Sequence, residues 1–349
     1  MRSKRLLVVA AALAGFLVSS ASAATNDTHN GLQWSLTQIN AEAAWATSTG
    51  AGQVIAIVDS GVDLGHPDLQ GHLVAGATFT GCPTAPNGCG NGDWESGQTE
   101  DAPSPHGTHV AGIAAAVTGN GTGVAGVARD ARLMPVKVLT DAGGSFEEVA
   151  AGIRWAVDHG ADVINLSLGA LPGVQALPLV GELDEAKLAI DYAVAQGVVV
   201  VAAAGNEFAS ICAEPAFNPN ALCVVATDRN GARASYSNFA VGPSQNVVAG
   251  PGGAGALFCA DDVVSTVPAG TEGVCGEDTP GYDFYAGTSM ASPHVAGVAA
   301  LLTAQGRSVA QVYSVLKSTA RTPGAGTRGT YTPTYGFGIV DAAAAVAAP

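Results

Sequence analysis

Residues 54–58, 133–139, 163–168, 198–201 and 223–226 form apolar runs that no period-two alternation interrupts at their cores. A strand with water on one side alternates; an unbroken run needs cover on both faces, the habit of parallel strands lying between helices. Helical spacings fall between the runs: Val110, Ile113 and Val117; Val149, Ile153, Ala156 and Val157; Leu188, Ala189, Tyr192 and Ala193. This βα alternation predicts a three-layer α/β fold whose central, mainly parallel sheet is flanked by helices. Ligands of such sheets sit beyond the carboxyl ends of the strands, and the chemistry is sought there.

Residues 287–302 contain a further helix of a different kind. Val295, Val298, Ala299 and Leu302 follow the helical period, while Ala291, Ala296, Gly297 and Ala300 fill the other faces with small residues. A helix apolar nearly all round belongs in the middle of a core. Pro293 is expected in its first turn, where a missing N–H has no partner to lose, so the helix is expected to begin within a residue or two of Ser289. That places a hydroxyl beside unpaired amides and the positive end of a helix dipole, where developing negative charge is favoured. Ser289 taken alone is more often an ordinary N-cap.

The chain has 349 residues, of which 48% are hydrophobic and 12% charged. It shows no linker, repeat or low-complexity tract, so one large domain is expected. The N-terminus is the exception. Arg2, Lys4 and Arg5 precede an apolar run over residues 6–18, and Ala21-Ser22-Ala23 is a small-residue cleavage pattern. Residues 1–23 are read as a signal peptide and 24–349 as the mature, exported domain. Without the three basic residues of that segment, 11 Lys and Arg stand against 29 Asp and Glu, a net charge of −18. So acidic a chain is a poor partner for nucleic acid or an anionic membrane, and a soluble monomer is expected. Six cysteines, all beyond residue 23, suit an oxidising compartment. Six allow fifteen pairings. The sequence-local one is preferred: Cys82 with Cys89, Cys212 with Cys223 and Cys259 with Cys275, each expected in a Gly- or Pro-rich surface loop.

Polar residues that the strands do not need stand at their ends: Asp59-Ser60-Gly61, Ser167-Leu168-Gly169 and Ala204-Gly205-Asn206-Glu207. His106 opens the helical stretch His106-Gly107-Thr108-His109-Val110-Ala111-Gly112. Singly, each has a plain structural reading as a turn, cap or surface residue. Together with Ser289, an Asp, a His and an amide donor are the parts needed to activate a hydroxyl and stabilise an oxyanion. Two glycine patterns, at residues 121–126 and 250–255, fit a dinucleotide fingerprint in spacing only, since neither opens a helix after a strand.

Ile55-Ala56-Ile57-Val58-Asp59-Ser60-Gly61-Val62-Asp63, the His106 block and Gly287-Thr288-Ser289-Met290-Ala291-Ser292-Pro293-His294-Val295-Ala296-Gly297 resemble the three catalytic blocks of the subtilisin-like serine proteases. Their order, Asp, His, Ser, is that family's order. The likeness extends from Trp34-Ser35-Leu36-Thr37-Gln38-Ile39 to Tyr335-Gly336-Phe337-Gly338-Ile339-Val340-Asp341, nearly the whole chain. It implies a subtilisin-like fold and a secreted endopeptidase acting on polypeptides. Ser289 is then the nucleophile, His106 its general base, Asp59 the group that orients the imidazole, and Asn206 the side-chain donor to the oxyanion. Ser167, Leu168, Gly169 and Gly144 would flank an extended substrate strand. Ala204 and Gly205 would wall the P1 pocket, implying a broad apolar preference, with Glu207 at its mouth. His109 and His294 are structural in the family, and Met290 packs beside the nucleophile.

The resemblance also implies structural calcium. Asp68 matches a family ligand, and the loop over residues 117–124 resembles the family's calcium loop, offering Asn120 and the carbonyls of Val117, Thr122 and Val124. The chain departs from a minimal subtilisin in two longer regions, residues 81–105 and 251–280. It also shows no room between Ala23 and Gly31 for the propeptide that most secreted members carry, so folding is expected to rely on disulfides and calcium. Two other readings share these residues: a secreted binding or scaffold protein with little turnover, and an esterase.

Overall fold

A computed structural model describes residues 25–80, 105–170, 182–240, 242, 246–255, 258–324 and 326–349. The expected signal peptide, together with Cys82 and Cys89, lies outside the described residues. Strands β1 (Val54–Asp59), β2 (Ala77–Thr78), β3 (Arg132–Lys137), β4 (Val163–Leu166), β5 (Val199–Ala203), β6 (Leu222–Thr227) and β7 (Val247–Pro251) form one sheet in the order β2-β3-β1-β4-β5-β6-β7. Every neighbouring pair is parallel. A hairpin of β8 (Val263–Thr266) and β9 (Tyr282–Tyr285) stands apart.

The apolar runs form the strands because both faces are covered. β5, β6 and β7 are buried along their whole length. Helices α1 (Trp34–Gln38) and α2 (Ala41–Ala44) precede the sheet. Helix α3 (His106–Ala115) packs on α6 (Thr288–Thr303), and α4 (Phe146–Asp158) packs on α5 (Glu182–Ala195). These pairs are the two outer layers, and α7 (Val309–Thr319) and α8 (Ala342–Ala347) close the domain. The start of α4 is fixed locally: Ser145 accepts from the Glu148 N–H while the Glu148 carboxylate accepts from the Ser145 N–H. In α6 every residue but Ser289 and Thr303 is buried, as an all-round apolar helix requires.

β1 has β3 on one side and β4 on the other, so the chain reverses its direction of travel across the sheet around β1. A crevice opens at such a point beyond the strands' carboxyl ends. Asp59 is the last residue of β1, and α3 and α6 bring their N-termini to the same end.

Three local expectations change. Val117 is not helical: α3 ends at Ala115, and the Val117 N–H goes to the Asp68 carbonyl instead of to a helical one. Cys212 and Cys223 are bonded to each other, but both are fully buried and Cys223 lies inside β6, so this disulfide is in the core and not in a surface loop. Its strand position wins because the surrounding run is covered on both faces. Cys259 and Cys275 form the second disulfide described, in the region before β9. Pro293 sits in the second turn of α6, not the first. Among the described residues no helix is long and apolar enough to cross a membrane.

Candidate active site

Asp59 is completely buried at the end of β1, and its Oδ1 accepts from His106 Nδ1 at 2.7 Å and from the Ser60 N–H at 2.7 Å. Its Oδ2 is buried without a hydrogen-bond partner among the described residues. A buried carboxylate held in this way is a fixed acceptor that sets the orientation of the His106 ring. That ring is the first residue of α3, is about 30% exposed, and has its helix tied to the strand end by the Gly107 N–H donating to Ser60 Oγ at 3.0 Å. With Nδ1–H given to Asp59, the tautomer leaves Nε2 as the basic nitrogen.

Ser289 is the second residue of α6 and partly exposed. The free N–H groups of that helix start are disposed of one by one. Thr288 N donates to Asn206 Oδ1 at 2.9 Å, and Met290 N and Ala291 N donate to Gly287 O at 3.0 and 3.3 Å. The Ser289 N–H has no acceptor among the described residues, although a helix's first N–H groups need partners from outside it. Thr288 Oγ1 also donates to Asn206 Oδ1 at 3.0 Å, so the oxygen of that amide is committed and its NH₂ faces away from Thr288. One exposed amide donor and one unpaired backbone N–H therefore flank Ser289.

The Ser289 hydroxyl donates to the Ser167 carbonyl at 3.2 Å. Ser167 belongs to the segment just after β4 and lines, with Leu168, Gly169, Ala170, Gly143, Gly144 and the apolar side chains Leu139, Phe146 and Val149, a cleft of about 490 Å³. Asp59, His106 and Ser289 open into that same cleft. A smaller pocket of about 70 Å³ adjoins it, walled by Ala203, Gly205, Asn206, Glu207 and Thr288. Gly205 there has φ +102°, and a Cβ on it would lie 2.3 Å from Asn238 Nδ2 and 2.7 Å from Glu207 Oε2, so only glycine fits. Asn238, itself buried, donates to Glu207 Oε2 at 2.9 Å and fixes that carboxylate beside the pocket. Ala204, expected in the pocket wall, is fully buried behind it, and Ala203 takes its place.

His109 and His294 are fully buried, and burial lowers them to about 3 and about 4, so both stay neutral. His109 Nε2 faces the Val263 and Asp283 carbonyls at 3.1 Å, and its ring stacks on Tyr285. His294 Nδ1 faces the Met290 carbonyl at 2.8 Å. Each ring, on one of the two helices that carry His106 and Ser289, spends a nitrogen on backbone carbonyls.

Among the described residues no group of three or more His, Cys, Asp or Glu gathers in a metal-holding arrangement. The loop after α3 is nonetheless built on oxygen. Asp68 is completely buried; its Oδ1 accepts from Asn120 Nδ2 at 2.7 Å, and its Oδ2 accepts from the Val124 N–H at 2.9 Å. Asp27, also buried, accepts from the Gly119 and Asn120 N–H groups. Burial first, and the like charge of Asp27 after it, push the Asp68 carboxyl up to about 6. The carbonyls of Val117, Thr122 and Val124 accept no hydrogen bond among the described residues. Two buried carboxylates, Asp27 and Asp68, thus stand against a loop with three unclaimed carbonyls, oxygens of the kind a hard divalent cation takes.

Sequence reasoning missed several of these residues. Asp27 follows no motif. Leu139, Phe146 and Val149 look like ordinary strand and helix residues until the cleft gathers them. Asn165 and Ser292 did carry a signal, each a polar residue inside an apolar run, and both are fully buried.

Comparison with known proteins bears on this site. Residues 50–338 match the model of the subtilase family, Peptidase S8. The chain is 41% identical to thermitase from Thermoactinomyces vulgaris over 289 residues, covering 82% of this chain and 88% of thermitase. It is 39% identical over 359 residues to an extracellular protease of Xanthomonas campestris pv. campestris, covering 93% of this chain but 57% of that protein. Among solved structures, a protease from Pseudoalteromonas arctica superposes with a TM-score of 0.74 at 34% identity, covering 93% of this chain and 99% of the other.

Proposed function

The chain belongs to the subtilase family of serine endopeptidases, and from that premise we propose that it cleaves polypeptides by way of Ser289, His106 and Asp59. The observation that carries the assignment is the 2.7 Å bond between His106 and a completely buried Asp59, in a cleft that also holds Ser289 at a helix start. The serine hydroxyl is too weak an acid to attack a carbonyl unaided. His106 Nε2 takes its proton as the bond to the peptide carbon forms, and Asp59 stabilises the resulting imidazolium. The negative charge then arriving on the carbonyl oxygen meets the unpaired Ser289 N–H and the Asn206 NH₂, both set in place beforehand. His106 returns the proton to the leaving amine, and water repeats the sequence to release the acyl group.

The backbone of residues 167–169 and Gly144 supports a reading as the two rims against which an extended substrate lies, pairing through main chain and so indifferent to sequence. Leu139, Phe146, Val149 and Leu168 would take apolar side chains further along the acyl side. The adjoining small pocket would take the P1 side chain, an apolar one as the family resemblance implies, and Glu207 at its mouth would tolerate a basic one. Asp27, Asp68, Asn120 and the carbonyls of Val117, Thr122 and Val124 would hold calcium. Bound there, it would offset the two buried carboxylates and fasten the loop that follows α3. We place the mature protein, residues 24–349, outside the cell, on the basic, apolar and small-residue pattern of residues 1–23. N-terminal sequencing of protein recovered from culture medium tests that placement; a start at Met1 contradicts it.

Incubation with an unfolded polypeptide and mapping of the products tests the activity. Cleavage after apolar residues, abolished in Ser289→Ala, is expected. An intact substrate with a correctly folded wild-type protein would leave the scaffold reading instead.

A further inference from the structure

Pro293 lies four residues after Ser289 in α6. At that place an ordinary helical residue donates its N–H to the Ser289 carbonyl, and proline both lacks the donor and crowds that carbonyl with its ring. The carbonyl of the proposed nucleophile is therefore unserved by the helical bond it would otherwise receive. It is served from the segment just after β4: Ser167 Oγ donates to Ser289 O at 2.7 Å. Ser167 Oγ in turn accepts from Asn165 Nδ2 at 2.9 Å, and Asn165 Oδ1 accepts from Ser292 Oγ at 2.7 Å. Asn165, Ser167 and Ser292 are each no more than 2% exposed, and none of these hydroxyls or amides has a place in the reaction steps above. The donors point one way along the chain, from Ser292 to Asn165 to Ser167 to Ser289 O, so each hydroxyl proton is committed and each rotor locked.

We propose that the Ser167 hydroxyl is a positioning group for Ser289, replacing the helical bond that Pro293 denies and holding the nucleophile's backbone against the strand that binds substrate. The inference rests on Ser289 being the nucleophile. Ser167 then grips Ser289 twice, through its hydroxyl at the Ser289 carbonyl and through its own carbonyl at Ser289 Oγ. Because Ser289 N–H and Oγ share one Cα, a loose backbone there displaces both the attacking oxygen and the oxyanion donor. Asn165 and Ser292 act one and two bonds further out.

The test is a double-mutant cycle of Ser167→Ala and Pro293→Ala, read as kcat and KM on a fluorogenic peptide, with active sites counted by burst titration and folding checked by thermal midpoint. The Pro293→Ala substitution restores the N–H that the Ser289 carbonyl lacks. With Pro293 in place, Ser167→Ala is expected to lower kcat about tenfold with KM nearly unchanged; in the Pro293→Ala background the same change is expected to cost no more than about twofold. An unchanged kcat in Ser167→Ala, or an equal loss in both backgrounds, overturns the proposal. Should Ser167→Ala fail to fold, Ser292→Ala takes its place in the cycle, with a smaller loss in the same pattern expected and an additive one overturning it. A wild-type protein that hydrolyses nothing and shows no burst overturns the nucleophile assignment itself, a result distinct from additivity.

Discussion

Replacing Gly297 by alanine would separate the two helices that carry the proposed reacting residues His106 and Ser289. A Cβ at this position would lie 2.6 Å from Val127 Cβ, 2.8 Å from Val127 Cγ1 and 3.2 Å from the Ala114 carbonyl oxygen. Carbon atoms settle at about 3.5–4.0 Å, so α6 must retreat by about 1 Å. Val127 cannot give way alone, because its N–H and that of Ala128 are bonded to the Ile113 and Ala114 carbonyls at the end of α3. The methyl group therefore acts on the α3–α6 packing, and α3 begins with His106 while α6 begins beside Ser289. Overpacking costs about 1–3 kcal/mol, against about 1 kcal/mol gained by alanine over glycine inside a helix, for a net loss of about 0–2 kcal/mol. Misplacement by about 1 Å can cost about 10²-fold in rate, and Gly297 lies about two turns from Ser289, so a loss of about 10- to 100-fold in kcat is expected. Peptide hydrolysis with titrated active sites, beside a thermal melt, measures both. Undiminished kcat with a raised melting temperature would refute the reasoning, since the helix preference alone would then be at work.

Acid should destabilise the protein through its buried histidines. His109 and His294 have folded values of about 3 and about 4 against 6.5 in an unfolded chain, so below pH 6.5 only the unfolded state takes up these protons. The stability they contribute above that pH is lost as pH falls toward 4, at about 1.4 kcal/mol per unit for each ring; a flat denaturation profile between pH 6.5 and 4 contradicts this. Chelation is expected to lower the thermal midpoint, because an ion bound only by the folded loop stabilises it by mass action, and Asp68→Asn should lose that dependence. Equal midpoints with and without chelator would mean that the Asp27 and Asp68 loop holds no cation. Glu207→Gln should weaken cleavage after Lys and Arg relative to Leu and Phe; an unchanged ratio would place the carboxylate outside P1 recognition.

Five of the seven sheet strands were legible because unbroken apolar runs admit few structures, whereas β2 and β7 were not read from the sequence. The candidate site residues stood out because each is a polar residue at a strand end or helix start with no local need to be there. What escaped depended on distance in space. Asp27 and Asp68 meet the loop over residues 117–124 only after the chain folds back on itself, and Phe146 and Val149 face the cleft through the placement of α4. Pro293 was misplaced for an instructive reason: the rule that proline belongs in a first turn assumes that the helix supplies its own hydrogen bonds, whereas Ser167 supplies this one from the segment after β4. Cys223 likewise obeyed its strand in preference to its expected loop, because the apolar cover on both faces of β6 outweighs the local Gly and Pro content.

Labelling with a fluorophosphonate, followed by peptide mapping, tests the central claim most directly. One phosphonyl group on Ser289 is expected, with proteolysis lost in proportion to its incorporation, and Ser289→Ala should lower turnover by about 10⁶-fold, the magnitude established in subtilisin itself. An adduct on another residue, or casein cleavage that survives in Ser289→Ala, would contradict the account.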